Sequence, residues 1–205
     1  MKNTMLLMIL LACGLLLACE PSARIEKTPV QGSRWVQDLD CEFPCYQGIS
    51  PDETEFRNVL PILQKEGFQI ISRSESNIEF HPNENMTGSV NKAADGSVGF
   101  IVLIVMRQNV LVEDVIRAIG LPTEVELRPG IENDRCGVYI LFADKGTILE
   151  LSLENQSKSD CQVSISSDSQ VFRIVLARSY FDEYLNRLSP ALLSRGKWTG
   201  YRTYP

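Results

Sequence analysis

Histidine is all but missing from this sequence: His81 stands alone among 205 residues. A metal site built on two histidines is therefore excluded within one chain. Any Ser-His-Asp arrangement would have to use His81, yet no serine sits in a GxSxG or other nucleophile signature. At a strand end before Pro82, His81 reads as a surface residue. Basic runs are missing too, and 20 Lys and Arg against 26 Asp and Glu give a formal net charge of −6. Such a chain repels phosphate backbones, so nucleic acid is not an expected partner. Neither a phosphate loop nor a dinucleotide fingerprint occurs, and no cofactor is expected. Asp38, Asp40 and Glu42 lack EF-hand spacing and read as a solvated acidic loop rather than a metal site. Asp52, Glu53 and Glu55 crowd the first turn of a predicted helix, where carboxylates favour the helix dipole; that explains them without a glycosidase pair. No catalytic residue is assigned, and the missing motifs weigh against an enzyme. With 44% hydrophobic and 22% charged residues, long disorder is not expected.

What is present starts with an export signal. Met1 to Glu20 runs from one cation, Lys2, through an apolar stretch to Ala18 and Cys19. The stretch is short for a membrane span and ends in small residues, as a signal peptide does. Leu16-Leu17-Ala18-Cys19 resembles the bacterial lipobox, whose cysteine is acylated before the leader is removed. Leu10-Leu11-Ala12-Cys13 is a weaker match that leaves a shorter apolar core. The expectation is a signal peptide over 1–18, lipidation at Cys19 by palmitate-type chains, and a tether over 19–33. A single α+β domain over 34–205 follows, with 34–95 and 96–205 as alternative subunits. Acyl chains gain about 0.8 kcal/mol per buried methylene, so the expected partner is a membrane, cytoplasmic or outer, with the protein facing outside the cytoplasm.

Four cysteines remain: Cys41, Cys45, Cys136 and Cys161. In an exported chain an even count favours two disulfides, of which three pairings exist. Cys41 with Cys45 and Cys136 with Cys161 are favoured. The second pair closes the longer loop, worth about 3.5 kcal/mol by loop-closure entropy. A four-thiolate zinc site is the competing reading, because Cys41 and Cys45 have ligand spacing, although Cys136 and Cys161 do not.

A short strand is predicted around Arg34 to Leu39. Ser50 as N-cap, Pro51 at the first helical position, and Glu53 completing a capping box predict a helix. Phe56, Val59, Leu60 and Leu63 give its apolar stripe and Gly67 its end, with a bend at Pro61. Phe68 to Arg73 and Ile78 to His81 read as a hairpin, followed by a polar tract from Pro82 to Asp95. Gly99 to Gln108 reads as a central strand buried on both faces. Leu111, Val115, Ile116 and Ile119 mark a second helix, ended by Gly120 and Pro122. Thr123 to Leu127, Gly137 to Phe142 and Thr147 to Leu153 read as strands, the last two joined by a turn at Ala143 to Gly146. Val163 to Ser166 is a weak strand, Val171 to Ala177 a stronger one, and Ser179 to Leu193 a helix. The expected fold is α+β: an antiparallel sheet with helices packed on one face, two helix-then-hairpin units, and a C-terminal helix.

Pro44, Cys45, Gln47, Gly48, Ile49, Pro51 and Thr54 resemble a PCWxGIxPGxT motif of uncharacterised bacterial lipoproteins, with Tyr46 in place of Trp and Asp52 in place of Gly. The segment DVIRAIGLPTEV is similar to a helix end of the same group. The helix-then-hairpin order also resembles small outer-membrane assembly lipoproteins and β-lactamase inhibitory proteins. The resemblance implies a cell-surface lipoprotein with no established activity. A non-catalytic module that binds an envelope protein is the preferred reading; a small-ligand or polymer binding module and a hydrolase with an unfamiliar site are the alternatives. In the tail, Trp198, Tyr201 and Tyr204 read either as an aromatic anchor for a partner or as rings packed onto the domain by a returning edge strand. Packing is the favoured reading.

Overall fold

Alternating apolar side chains make strand the predominant regular structure among the described residues. The computed structural model describes residues 41, 43–106, 110–129, 136–152, 161–188 and 194–204. The leader with Cys13 and Cys19, the tether, the strand at Arg34 to Leu39, and Asp38, Asp40 and Glu42 lie outside the described residues. In chain order the elements are α1 (Val59–Lys65), β1 (Gln69–Arg73), β2 (Asn77–Asn83), β3 (Met86–Lys92), β4 (Val98–Val105) and α2 (Val112–Ile119). They continue as β5 (Glu124–Pro129), β6 (Cys136–Phe142), β7 (Thr147–Leu151), β8 (Val163–Ser164), β9 (Val171–Leu176), α3 (Phe181–Leu188), β10 (Ser194–Lys197) and β11 (Thr203–Tyr204).

Nine strands make one sheet in the order β1, β2, β3, β4, β9, β7, β6, β5, β10, while β8 and β11 pair apart from it. Every pairing in the sheet is antiparallel. Each of the first two helices is followed by a meander: β1 to β4 after α1, and β5 to β7 after α2. The two predicted hairpins are thus parts of longer runs, and β9 stitches the meanders together between β4 and β7.

The helices do not share one face. On α1 and α2, Val59, Leu63, Val112, Val115 and Ile119 join a core with Ile101, Leu103, Val138, Ile140, Leu149 and Ile174. The alternate positions Leu141, Ile148, Val175 and Ala177 form a second core on the opposite face, where Phe181, Tyr184 and Leu185 of α3 cover them. Both alternating sets of β6, and most of both sets of β7 and β9 apart from the paired Glu150 and Arg173, are apolar, so both faces of the sheet centre need a cover. Burying Val59 or Leu63 stabilises by roughly 1.5–3 kcal/mol each. Seven-residue α1 depends on that packing, since so short a helix is marginal alone.

Four local expectations are corrected. The first helix does not begin at Ser50: a 3-10 turn over Phe56–Asn58 leads into α1. Asp52 has φ +67°, outside the helical region. The backbone of this stretch bonds instead to the start of β4, through Asp52 N to Val98 O, Val98 N to Thr54 O, and Phe56 N to Gly96 O. Pro61 is the third residue of α1, in the first turn, where a missing N–H removes no i to i−4 bond. The polar tract Pro82 to Asp95 contains β3, whose Met86, Gly88 and Val90 point inward at every second position between polar neighbours. The strand read at Gly99 to Gln108 is β4, in mid-sheet, but Phe100, Val102 and Ile104 on one of its faces are only half-buried.

Candidate functional site

The segment that carries the lipoprotein resemblance builds a clasp. Cys41 and Cys45 are bonded, with Cα atoms 5.8 Å apart, and Cys136 and Cys161 are bonded at 5.7 Å. These are the favoured pairs, and they consume the four sulfurs that a zinc site would have needed. Tyr46 and Ile49 exchange backbone bonds of 2.9 Å in both directions. Between them Gln47 and Gly48 have φ +50° and +75°, the positive pair of a type I′ turn that explains glycine at 48. Both flanking side chains are buried, and the Tyr46 ring lies 6.1 Å from the rings of Phe68 and Phe80. Burial pushes the Tyr46 phenol well above its ordinary range. Thr54 Oγ1 accepts a 2.9 Å bond from Ser50 N and tightens the exit from the clasp.

Beyond the clasp, Asp52, Glu53, Glu55 and Arg57 wall a cleft of about 540 Å³. Arg73 and Glu75, at the β1–β2 turn, and Lys92 and Asp95, at the β3–β4 turn, complete it over a floor that includes Phe56, Leu60 and Ile78. The acidic residues do not serve a helix dipole. The Asp52 carboxylate accepts from Ser179 N at 2.9 Å and Ser179 Oγ at 2.6 Å, and Glu53 pairs with Arg178, tying the clasp to the entry of α3. Glu55 pairs with Arg57 at 2.5 Å. Asp95 accepts from Ser97 Oγ at 2.7 Å and Ser97 N at 2.9 Å, bonds that hold its carboxyl below the usual range. Arg73 and Lys92 make no ion pair among the described residues, so the cleft offers two cations beside an acidic wall.

A buried polar network lies beneath α3. Glu126 is fully buried and pairs with Arg128 at 2.9 Å, while Arg128 Nη1 donates a 2.6 Å bond to Leu185 O. Arg195 reaches Glu124 at 2.5 Å and Glu126 at 3.4 Å. Beside them Glu150 pairs with Arg173 at 2.6 Å. Burial raises the Glu150 carboxyl against the opposing pull of Arg173, and raises the Tyr139 and Tyr184 phenols. The pairs offset charges that a sheet face covered by a helix could not otherwise hold, although Glu126 Oε1 accepts no hydrogen bond among the described residues and relies on Arg195 at 3.4 Å. Sequence reasoning missed this network; the signal was the strict alternation of charged and apolar residues in Glu124 to Arg128, which is equally the pattern of a half-exposed strand.

The tail returns to the sheet. β10 pairs with β5, Trp198 N donates to Thr123 O at 3.0 Å, and β11 pairs with β8. Tyr204 is buried, its ring stacked 6.0 Å from that of Trp198, which is half-buried; Tyr201 is 44% exposed and meets Trp198 edge-on at 5.7 Å. The three aromatics are thus one packed group. Tyr204 belongs to the first core, as the favoured packing reading has it, and the partner-anchor alternative does not apply to its buried ring. Beside Tyr204, a slot of about 240 Å³ opens over Val125 and Leu127 at the β10 edge. Its signal, small Ser194 and Gly196 at alternate positions, is too brief to read in a sequence. His81 lies within β2 rather than at its end and is half-buried, with Nδ1 3.3 Å from Met86 O. Among the described residues, no group of three or more His, Cys, Asp or Glu could hold a metal ion, and no helix is long and apolar enough to cross a membrane.

No protein-family model matches the chain, and a comparison with curated proteins finds no match. Among solved structures, the crystal structure of YjgB, a DUF4309 family protein from Bacillus subtilis subsp. subtilis strain 168, is similar at a TM-score of 0.42 and 11% sequence identity. The alignment covers 72% of this chain and 98% of that one.

Proposed function

We propose that the chain is an extracytoplasmic lipoprotein of the kind its PCYQGISP segment resembles, cut after Ala18 and anchored through acylated Cys19. On this reading its α+β domain is a non-catalytic module that binds an envelope protein. The observation that carries the reading is the pair of disulfides, since cross-links of this kind persist in oxidising compartments and are rare in the cytosol. A lipobox-like sequence at the end of a short apolar leader supplies the export route and the anchor. The binding role is supported by the cleft beside the clasp, where Arg73 and Lys92 face an acidic wall across an apolar floor. Charges of both signs around a partly apolar groove suit recognition of a protein segment that presents complementary charges.

Mass spectrometry of the mature N-terminus is expected to show an acylated cysteine at position 19. An intact Met1, or an unmodified Cys19, refutes the anchor. For the binding role, the lipidated protein is cross-linked in its native envelope and its partners are compared with those of the Arg73→Glu/Lys92→Glu variant. Loss of a specific partner is expected; an unchanged partner set removes the cleft from the binding surface.

A further inference from the structure

We propose that the outer edge of β10 and the slot beside it bind an extended acidic peptide, which adds a strand to β10 and sets one apolar side chain into the slot. This site lies at the opposite end of the sheet order from β1, which borders the cleft, and does not depend on the cleft's role.

Four observations converge there. First, β10 ends the sheet, so among the described residues no strand lies on its outer side. It pairs with β5 in unbroken register from Ser194 opposite Leu127 to Lys197 opposite Glu124. The other edge, β1, has an irregularity between Ile70 and Ser72, a device that discourages added strands. Second, the slot has an apolar floor of Val125 and Leu127 and a wall of Tyr204. At about 240 Å³ it falls below the roughly 300–1,000 Å³ of pockets that enclose a drug-sized molecule, and suits a single side chain.

Third, access to that floor depends on Gly196. Cross-strand partners share a face, so Gly196 lies on the face of Val125, and a Cβ at Gly196 would meet nothing within 4 Å. A side chain from an added strand can therefore reach over β10 to the floor. Fourth, cations and no anion line the slot in a chain of formal charge −6: Arg202, together with Arg195 and Lys197 of β10, whose register puts them on the opposite face from Val125. Arg195 is committed to Glu124 and Glu126. Among the described residues Lys197 has no ion-pair partner, and the Arg202 guanidinium, 4.9 Å from the Tyr204 ring centroid, meets no carboxylate. Lys197 shares the face of Glu124, opposite the slot face of Val125. An added strand that alternates apolar and acidic residues would place its apolar set over the slot and its acidic set beside Lys197. Main-chain bonds to the edge would supply affinity, and the slot and cations would supply selectivity.

The probe is a fluorescein-labelled hexapeptide of alternating leucine and aspartate, titrated against the full-length lipidated protein in detergent and read by anisotropy. Saturable binding is expected, weakened about tenfold or more when lysine replaces the aspartates. Gly196→Leu, which fills the slot, is expected to weaken it similarly, as is Lys197→Gln/Arg202→Gln, whose replaced side chains are exposed and whose melting temperature is expected to match wild type; tenfold is 1.4 kcal/mol. The Arg73→Glu/Lys92→Glu variant is expected to bind the hexapeptide normally, so loss of the cleft reading leaves this one standing. Absence of saturable binding, or unchanged affinity in both slot variants, overturns the proposal. So does capture of phosphatidylglycerol vesicles that the same variants abolish while the hexapeptide does not bind, which would make the cations a lipid-headgroup surface.

Discussion

Replacing Gly88 by alanine tests the packing of the first core directly. Gly88 on β3 is the register partner of Phe80 on β2. A Cβ at Gly88 would lie 2.3 Å from Phe80 Cζ and 2.6 and 2.7 Å from its two neighbouring ring carbons. The ring must therefore move, and it has little room: Phe80 is fully buried, 5.5 Å from the Phe68 ring and 6.1 Å from that of Tyr46. At an unhindered strand position the same substitution would stabilise by about 0.4–1 kcal/mol, because alanine restricts the unfolded chain. Overpacking costs about 1–3 kcal/mol and reverses the sign. In a domain of this size that range corresponds to a fall of about 2–12 °C in melting temperature. Thermal melts and urea titrations of Gly88→Ala are compared with Gly196→Ala, where nothing lies within 4 Å and no loss is expected. Phe80→Leu in the Gly88→Ala background should restore part of the loss, with a coupling of about 1 kcal/mol between the sites. If Gly88→Ala melts at or above wild type, or if the two substitutions simply add, the Phe80 ring is not what keeps residue 88 a glycine.

Three further outcomes are expected. Cys136→Ala/Cys161→Ala should cost up to about 3.5 kcal/mol and Cys41→Ala/Cys45→Ala about 2 kcal/mol, since the sequence separations are 25 and 4; urea titrations giving the reverse order would refute loop closure as the cause. Arg128→Ala leaves fully buried Glu126 with only Arg195 at 3.4 Å and should cost about 3–5 kcal/mol, most of it recovered by Glu126→Leu/Arg128→Met; a loss under 1 kcal/mol in a urea titration would show that water reaches the pair. Burial raises the Glu150 carboxyl in the folded chain, so its contribution is complete below the unfolded carboxyl range near about 4.3 and is lost as pH rises through the folded value. The melting temperature of Glu150→Gln, relative to wild type, should therefore climb from acid to neutral pH, and a flat difference would contradict the shift.

Local physics made much of the fold legible. The short, branched apolar runs Val171 to Leu176 and Val98 to Val105 identify strands, because runs of that length and composition suit a sheet centre covered on both faces. Gly120 and Pro122 end α2 by their own backbone limits. Where local signals were weak or ambiguous, reading failed. Met86, Gly88 and Val90 alternate as a strand should, but polar neighbours and an inward glycine hid β3. Ser50 and Glu53 satisfy a capping pattern, but the stretch folds as a turn closed by Thr54 N to Ser50 O and bonded to Val98 and Gly96, since a tertiary partner for nearby N–H groups outweighs a marginal helix start.

The candidate sites divide in the same way. The favoured cysteine pairs, the apolar N-terminal stretch, the helix and strand periods and the acidic balance follow from residue chemistry and spacing, and need no three-dimensional neighbour. Which face α3 covers, which carboxylate meets which arginine, and which residues share a cavity do not. Arg128 meets Leu185 across 57 positions, and Asp52 meets Ser179 across 127. Gly196 comes over Val125 only because β10 pairs with β5. Periodicity marks which side chains must be buried, but many partners are equally apolar or equally charged. Closing the sheet selects among them, through the geometry of strand pairing and the cost of leaving a buried group unpaired.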